Sequence, residues 1–175
     1  LEVPMFLRPT SETPMYTMFS LWIRSHADLP LKTFQIVNTF RYETKQTRSF
    51  IRVREIHFFE AHTVHKNEDD ATKQIEEDAK MVQHILYELC LPNIISKRPI
   101  WDTFPGAWYT TAADVIMPNG RTLQVATYHH YRDQWAKSFD LKYEDENGVS
   151  QFCHQTTFGM SERLLGAIVG LHGDD

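Results

Sequence analysis

Three clusters of side chains carry types and spacings that could do chemistry together. The first is Arg41-Tyr42-Glu43, a polar basic loop Thr44-Lys45-Gln46-Thr47-Arg48-Ser49, then Arg52-Val53-Arg54-Glu55. Strand alternation puts Arg41 and Glu43 on one face, and Arg52 and Arg54 on one face. Such a set is either a solvated sheet face laced with ion pairs, each worth at most about 1 kcal/mol, or an anion site. In the second case guanidinium forks grip phosphate or carboxylate oxygens two at a time. The second cluster, Arg8-Pro9-Thr10-Ser11-Glu12-Thr13, reads as a helix cap, or as a carboxylate placed to hold an ammonium. The third, Gly159-Met160-Ser161-Glu162-Arg163, opens the last helix, where backbone N–H groups and an arginine both favour polyphosphate.

These clusters need elements to hold them. A helix is expected from Ser11 to about His26, capped by Ser11, with Met15, Met18, Phe19, Trp22 and Ile23 as its apolar face and its methionines and aromatics in the core. Phe34–Glu43 and Phe50 to about Phe58 read as a long hairpin with its charged groups on an inner face. Phe34, Ile36, Phe40 and Tyr42 share one face of its first strand with Asn38. Asn67–Leu91 is the clearest helix: Ala71, Ile75, Ala79, Val82, Leu86 and Leu89 recur every three or four residues, Asn67 can cap it, and Glu68, Asp69 and Asp70 suit its positive end. Strands are expected at Asn93–Ser96, Asp114–Met117 and Thr122–Tyr128, the last two joined at Pro118-Asn119-Gly120. A further hairpin joins Leu141–Tyr143 to Phe152–Thr156 through Glu146-Asn147-Gly148, and a final helix spans Ser161–Leu171. The opening residues Leu1 to Arg8 read as extended. Strands outnumber helices and do not alternate with them strictly, which points to an α+β fold with an antiparallel sheet.

Composition narrows the class. The 175 residues suffice for one domain with a real core. A hydrophobic content of 42% and an aromatic content of 13% exclude disorder. No apolar run reaches the roughly 20 residues of a membrane span, and no secretory leader is visible at Leu1-Glu2-Val3-Pro4. A net charge of −5 argues against a wholly basic nucleic-acid-binding surface while leaving room for a local basic patch. Cys90 and Cys153 are the two cysteines, so a reducing compartment and buried, inert thiols are expected. The nine histidines lack the tight Cys/His pairing of a zinc site, and no metal site is assigned. The chain lacks an initiator Met and is read as a piece of a longer polypeptide.

Taken together, Leu7–Thr13, Phe40–Lys45, Ile51–Ile56, Glu60-Ala61-His62-Thr63, Trp101–Gly106, Leu123-Gln124, Tyr128-His129-His130 and His172–Asp175 resemble the catalytic core of class II aminoacyl-tRNA synthetases, and within that class the prolyl-tRNA synthetases of archaeal and eukaryotic type. The resemblance covers nearly the whole chain. It implies a class II antiparallel β-sheet flanked by helices over residues 1–175, with motif 2 at about 34–60 and motif 3 at about 157–172. Motif 1 and the anticodon-binding domain are expected to lie outside the chain.

The implied activity is that of a proline–tRNA ligase: proline and ATP give prolyl-adenylate, and the prolyl group passes to tRNA(Pro). ATP with Mg2+ is implied, the magnesium ligands unassigned, in a cytoplasmic enzyme whose full-length parent is a homodimer. By position, Arg41 bridges the proline carboxylate and the α-phosphate, and Arg52 and Arg163 hold the outer phosphates. Arg41 and Arg163 are the implied catalytic pair. Glu43, Val53, Gln124, Thr127 and Ser161 match positions near the adenosine. Thr10 and Glu12 receive the proline ammonium. Phe58, His62, Phe104 and His129 wall the proline pocket, and Lys45 and Arg48 meet the tRNA acceptor end. The chain departs from the family pattern at Val125-Ala126-Thr127, at Trp108 and at Tyr131-Arg132-Asp133-Gln134-Trp135. Two other readings stay open: a synthetase-like binding or regulatory module without catalysis, and a class II synthetase for another small amino acid.

Overall fold

The computed structural model describes residues 3–174; Leu1, Glu2 and Asp175, at the two ends of the runs named above, lie outside them. Six strands form one antiparallel sheet. They are β1 (Leu31–Phe40), β2 (Glu55–His65), β3 (Asn93–Lys97), β4 (Tyr109–Ile116), β5 (Thr122–Arg132) and β8 (His154–Ser161), in the order β1-β2-β8-β5-β4-β3. A small hairpin, β6 (Lys142–Glu144) with β7 (Ser150–Phe152), stands apart. The helices are α1 (Glu12–Trp22), α2 (Glu68–Glu88), α3 (Gln134–Ser138) and α4 (Arg163–His172). This is the expected α+β architecture.

Alternation along the central strands divides the sheet into two faces. Tyr128 and Phe158 stack at 5.4 Å between ring centroids, in a core with Ile75, Val82 and Leu86 of α2. The neighbouring residues Thr127, His129, Thr157 and Gly159 line a cavity on the opposite face. A second core joins Tyr16, Phe19 and Ile23 to Tyr131, Ala136 and Leu141. The expected cap of α2 is present, since Asn67 Oδ1 accepts from Asp70 N–H at 2.9 Å.

Several local expectations are corrected. Helix α1 ends at Trp22, and its buried positions are Tyr16 and Phe19, with Ile23 just beyond; Met18 and Trp22 are largely exposed. The buried stripe is one step away from the apolar one because the core it meets is aromatic and accepts the Tyr16 ring. Ser11 precedes α1 but makes no side-chain cap hydrogen bond; it is buried beside Glu12. The hairpin is displaced: β1 begins at Leu31, Phe40 pairs with Glu55, and β2 runs on to His65. On β1 the polar residues face inward, while Phe34 and Ile36 are 69% and 70% exposed. The segment expected as Phe152–Thr156 is divided, Phe152 ending the small hairpin and His154 starting β8. Cys153 is buried and its thiol is pushed up to about 12 by burial, as expected of an inert group, but Cys90 is exposed. Among the described residues no helix is long and apolar enough to cross a membrane.

Candidate active site

A cavity of about 460 Å³ lies on the open face of the sheet, within the range of small-molecule sites. Strand β5 runs beneath it and sets its two ends. At one end the Gln124 carbonyl accepts from Arg163 Nη1 at 3.2 Å. At the other, His129 lines the wall and the Tyr131 hydroxyl reaches Glu12. At about 3.3 Å per residue, these ends are roughly 20 Å apart.

The Gln124 end is cationic. Arg41, Arg52 and Arg163 all line it, together with Glu43, Val53 and Ser161. Arg163 Nε is anchored on the Ile51 carbonyl at 2.9 Å, so the loop between β1 and β2 grips the start of α4. Burial lowers the Arg163 pKa from its ordinary value, and the nearby charges of Arg52 and Arg41 push it the same way. Like charges brought this close leave a site that an anion stabilises. Arg52 Nε is 3.5 Å from Glu43 Oε1. Arg41 forms no ion pair among the described residues; its Nη1 reaches only the Phe40 carbonyl, at 3.3 Å.

The far end is acidic and aromatic. Glu12, at the first turn of α1, is 2% exposed, yet lines the cavity. Thr10 donates to its Oε2, and Tyr131 donates to its Oε1 at 3.3 Å. A second carboxylate, Glu60, is wholly buried beside it and accepts from Gln35 Nε2 at 2.9 Å. Burial raises the Glu60 pKa, but polar support from His62, Ser11 and Gln35 outweighs it and holds the group below its ordinary value. Phe104 packs against His129 at 4.6 Å between ring centroids. Thr110 Oγ1 accepts from Phe104 N–H at 3.0 Å and lies 2.9 Å from His129 Nδ1. Its own proton is free for Nδ1, which leaves Nε2–H as the ring's donor. Burial, reinforced by His62, pushes His129 down to about 4, so the ring is neutral near pH 7.

Of the residues singled out from sequence, Thr10, Glu12, Arg41, Glu43, Arg52, Val53, Phe58, Phe104, Gln124, Thr127, His129, Ser161 and Arg163 meet in this one cavity. Three do not. His62 is fully buried beside the wall, 3.4 Å from Thr157 Oγ1 and 3.7 Å from Glu60, under the Tyr16 ring packed edge-on at 5.9 Å. Lys45 is exposed on the loop. Arg48 lines an adjoining space with Arg121 and shares Arg52, Gln124 and Arg163 with the main cavity.

Sequence reasoning missed Arg98, which lines the cavity and donates to Asp114 Oδ1 at 2.7 Å and Gln124 Oε1 at 3.0 Å. Its one signal is the basic run Lys97-Arg98 at the end of β3. It also missed Thr110 and Tyr131, polar groups in otherwise apolar or aromatic surroundings.

Comparison with known proteins converges on one family. The model for the class II tRNA synthetase core domain (G, H, P, S and T) matches residues 2–172. The chain is 61% identical over 176 residues to a proline–tRNA ligase of Thermococcus kodakarensis and 60% identical over 175 residues to one of Thermoplasma volcanium. All of this chain is covered in both, but only 37% and 38% of those proteins. Two solved structures superpose on 95% of the chain. One is the Giardia lamblia prolyl-tRNA synthetase in complex with prolyl-adenylate, with a TM-score of 0.93 at 43% identity and 34% of that chain covered. The other is the prolyl-tRNA synthetase from Cryptosporidium parvum complexed with L-proline and AMP, with a TM-score of 0.92 at 37% identity and 35% of that chain covered. The chain thus spans little more than a third of the length of these relatives.

Proposed function

The chain belongs to the class II tRNA synthetase core family (G, H, P, S and T), and from that premise we propose that it is the catalytic core of a proline–tRNA ligase. The observation that carries this reading is the polarity of the cavity: the guanidinium groups of Arg41, Arg52, Arg98 and Arg163 at one end, and a buried carboxylate held by two hydroxyls at the other. A triphosphate needs the first, and the ammonium of a small amino acid needs the second. The relatives' names and ligands supply proline as that amino acid.

In the first step a carboxylate oxygen of proline attacks the α-phosphorus of ATP and pyrophosphate leaves. Arg41, which forms no ion pair among the described residues, bridges the two reactants and holds them in line. Arg52 and Arg163 bind the departing phosphates. Gln124, Thr127, Ser161 and the Val53 backbone flank the adenosine, with Glu43 beside Arg52. Glu12 and Thr10 hold the ring ammonium, and Phe58, Phe104 and His129 enclose the ring. In the second step the terminal ribose hydroxyl of tRNA(Pro) attacks the prolyl carbonyl and AMP leaves. Lys45 and Arg48 are the groups offered to the acceptor end.

Magnesium would accompany the ATP. Glu43 faces Arg52, and Asp102 and Asp114 both face Arg98, so the cation would be held chiefly by phosphate oxygens and water. The parent is proposed to act in the cytoplasm as a homodimer; the exposed apolar Phe34 and Ile36 on edge strand β1 support a covered surface there.

The deciding experiment is amino-acid-dependent ATP–pyrophosphate exchange by the intact parent. Exchange driven by proline is expected. Exchange driven only by another amino acid would move the assignment to a different synthetase, and none with any amino acid would leave a binding module. A subtler prediction concerns Gly159, which pairs with Thr127 under the cavity. A Cβ there would come within 2.5 Å of the Phe58 ring. The Phe58 ring lines the cavity, so swinging its tip aside reshapes the wall. Gly159→Ala is therefore expected to raise the KM for proline about five- to tenfold, with the thermal midpoint lowered by under about 5 °C.

A further inference from the structure

The strand beneath the cavity breaks its register next to Glu12. On β5, His130 pairs with Thr156 and Arg132 with Gln155, which leaves Tyr131 as the extra residue of a bulge, with Arg132 at φ 51°. A bulge re-aims a side chain, and this one turns the Tyr131 phenol into the second core. The ring is completely buried, edge-on to Tyr16 at 6.1 Å, beside Trp135 at 5.5 Å, and edge-on to Phe104 at 6.2 Å. Its hydroxyl donates to Glu12 Oε1 at 3.3 Å and stands close to the Thr157 and Tyr16 hydroxyls. Thr10 donates to the other oxygen.

We infer that Tyr131 is a positioning residue for the ammonium site, its buried hydroxyl fixing the Glu12 carboxylate so that the remaining lone pairs face the amino-acid pocket. The inference rests on the proposed activity and names a residue it does not need. Each Glu12 oxygen is tied by one internal donor, which sets the plane of the carboxylate. Burial, with Tyr16 and Glu12 nearby, keeps the phenol protonated and so able only to donate to Glu12. The aromatic packing of Tyr16, Trp135 and Phe104 prevents the ring from following Glu12 if the carboxylate moves, so the geometry is imposed from the core outward.

The test is steady-state exchange by the full-length parent and its Tyr131→Phe variant, which keeps the ring and removes the hydroxyl. The KM for proline is expected to rise about tenfold, the scale of one hydrogen bond to a charged group. The KM for ATP should stay unchanged and kcat should change far less than KM. Tetrahydro-2-furoate, which has an ether oxygen in place of the ring ammonium of proline, is the second probe. As a competitive inhibitor it should bind wild type and variant alike, because it offers Glu12 no cation. Equal weakening of proline and tetrahydro-2-furoate would make Tyr131 a packing residue and overturn the inference. So would an unchanged KM for proline. If the wild-type parent shows no proline-dependent exchange, the activity reading falls first and takes this inference with it.

Discussion

Arg41→Ala in the parent protein is expected to reduce proline-dependent ATP–pyrophosphate exchange by about 10²- to 10⁴-fold. The guanidinium touches two reacting groups, the proline carboxylate and the α-phosphate, and each charge-assisted contact is worth about 1.5–3 kcal/mol. Two contacts give about 3–6 kcal/mol, and each 1.36 kcal/mol is a decade in rate. The fold should survive, because Arg41 is only half-buried and its side chain is bonded weakly, to the Phe40 carbonyl at 3.3 Å. Arg41→Lys keeps the charge and loses the fork, so it should recover only part of the rate. Arg48→Ala is the contrast. Its side chain stands outside the main cavity, so exchange should be untouched while transfer of proline to tRNA slows. An Arg41→Ala enzyme with normal exchange would remove the bridge from the mechanism.

The difference between Arg41 and His62 shows how far sequence reaches. Arg41 was legible because its cluster could be an anion site as well as a solvated ion-paired face, and its motif resembles that of the synthetase family. The cavity then required only that the hairpin and the last helix meet, which the Arg163 contact to the Ile51 carbonyl accomplishes. His62 lies on β2 paired with Thr157 and shares the cavity face with it. The Tyr16 ring of α1, edge-on at 5.9 Å, covers His62, and which position a helix covers is tertiary information that one sequence does not contain. The hairpin bounds failed for a related reason. Leu31–Thr33 pair with Val64–His62 because β8 pairs with β2 as far as His65, a tertiary cause that overrides local propensity. Tyr131 was invisible because its role depends on a bulge. By contrast the start of α2 was legible to the residue and its end, at Glu88, to within three of the expected Leu91, since its amphipathic period and Asn67 cap are local.

Acid should unfold the protein through its buried histidines. His65, His129 and His130 are each pushed down to about 4, first by burial. Around them, His65 meets Lys32, Asp70, His130 and His154; His130 meets Glu68, Arg132 and His154; and His129 meets His62. The folded pKa lies below the unfolded value of about 6.5 for each. The unfolded chain therefore binds more protons between pH 6.5 and 4. Stability is fully present above pH 6.5 and is lost as pH falls toward 4, by about 3 kcal/mol per ring. Asp78 opposes this. Burial on the inner side of α2 raises it to about 6, though Gln74 Nε2 donates to it at 2.9 Å. Its contribution is present at acid pH and lost as pH rises through 6. Near pH 5 the net difference is about two protons, a slope of about 3 kcal/mol per pH unit. Over the whole window that is about 6 kcal/mol, comparable to the total stability of many domains. Urea unfolding followed by tryptophan fluorescence should therefore show a midpoint that falls steeply between pH 6.5 and 5. Asp78→Asn should raise stability at pH 7 by up to about 3 kcal/mol and steepen the acid loss to about three protons, because the opposing group is gone. A flat midpoint from pH 6.5 to 5 would mean that water reaches these rings and that the sheet is less closed around them than its packing requires.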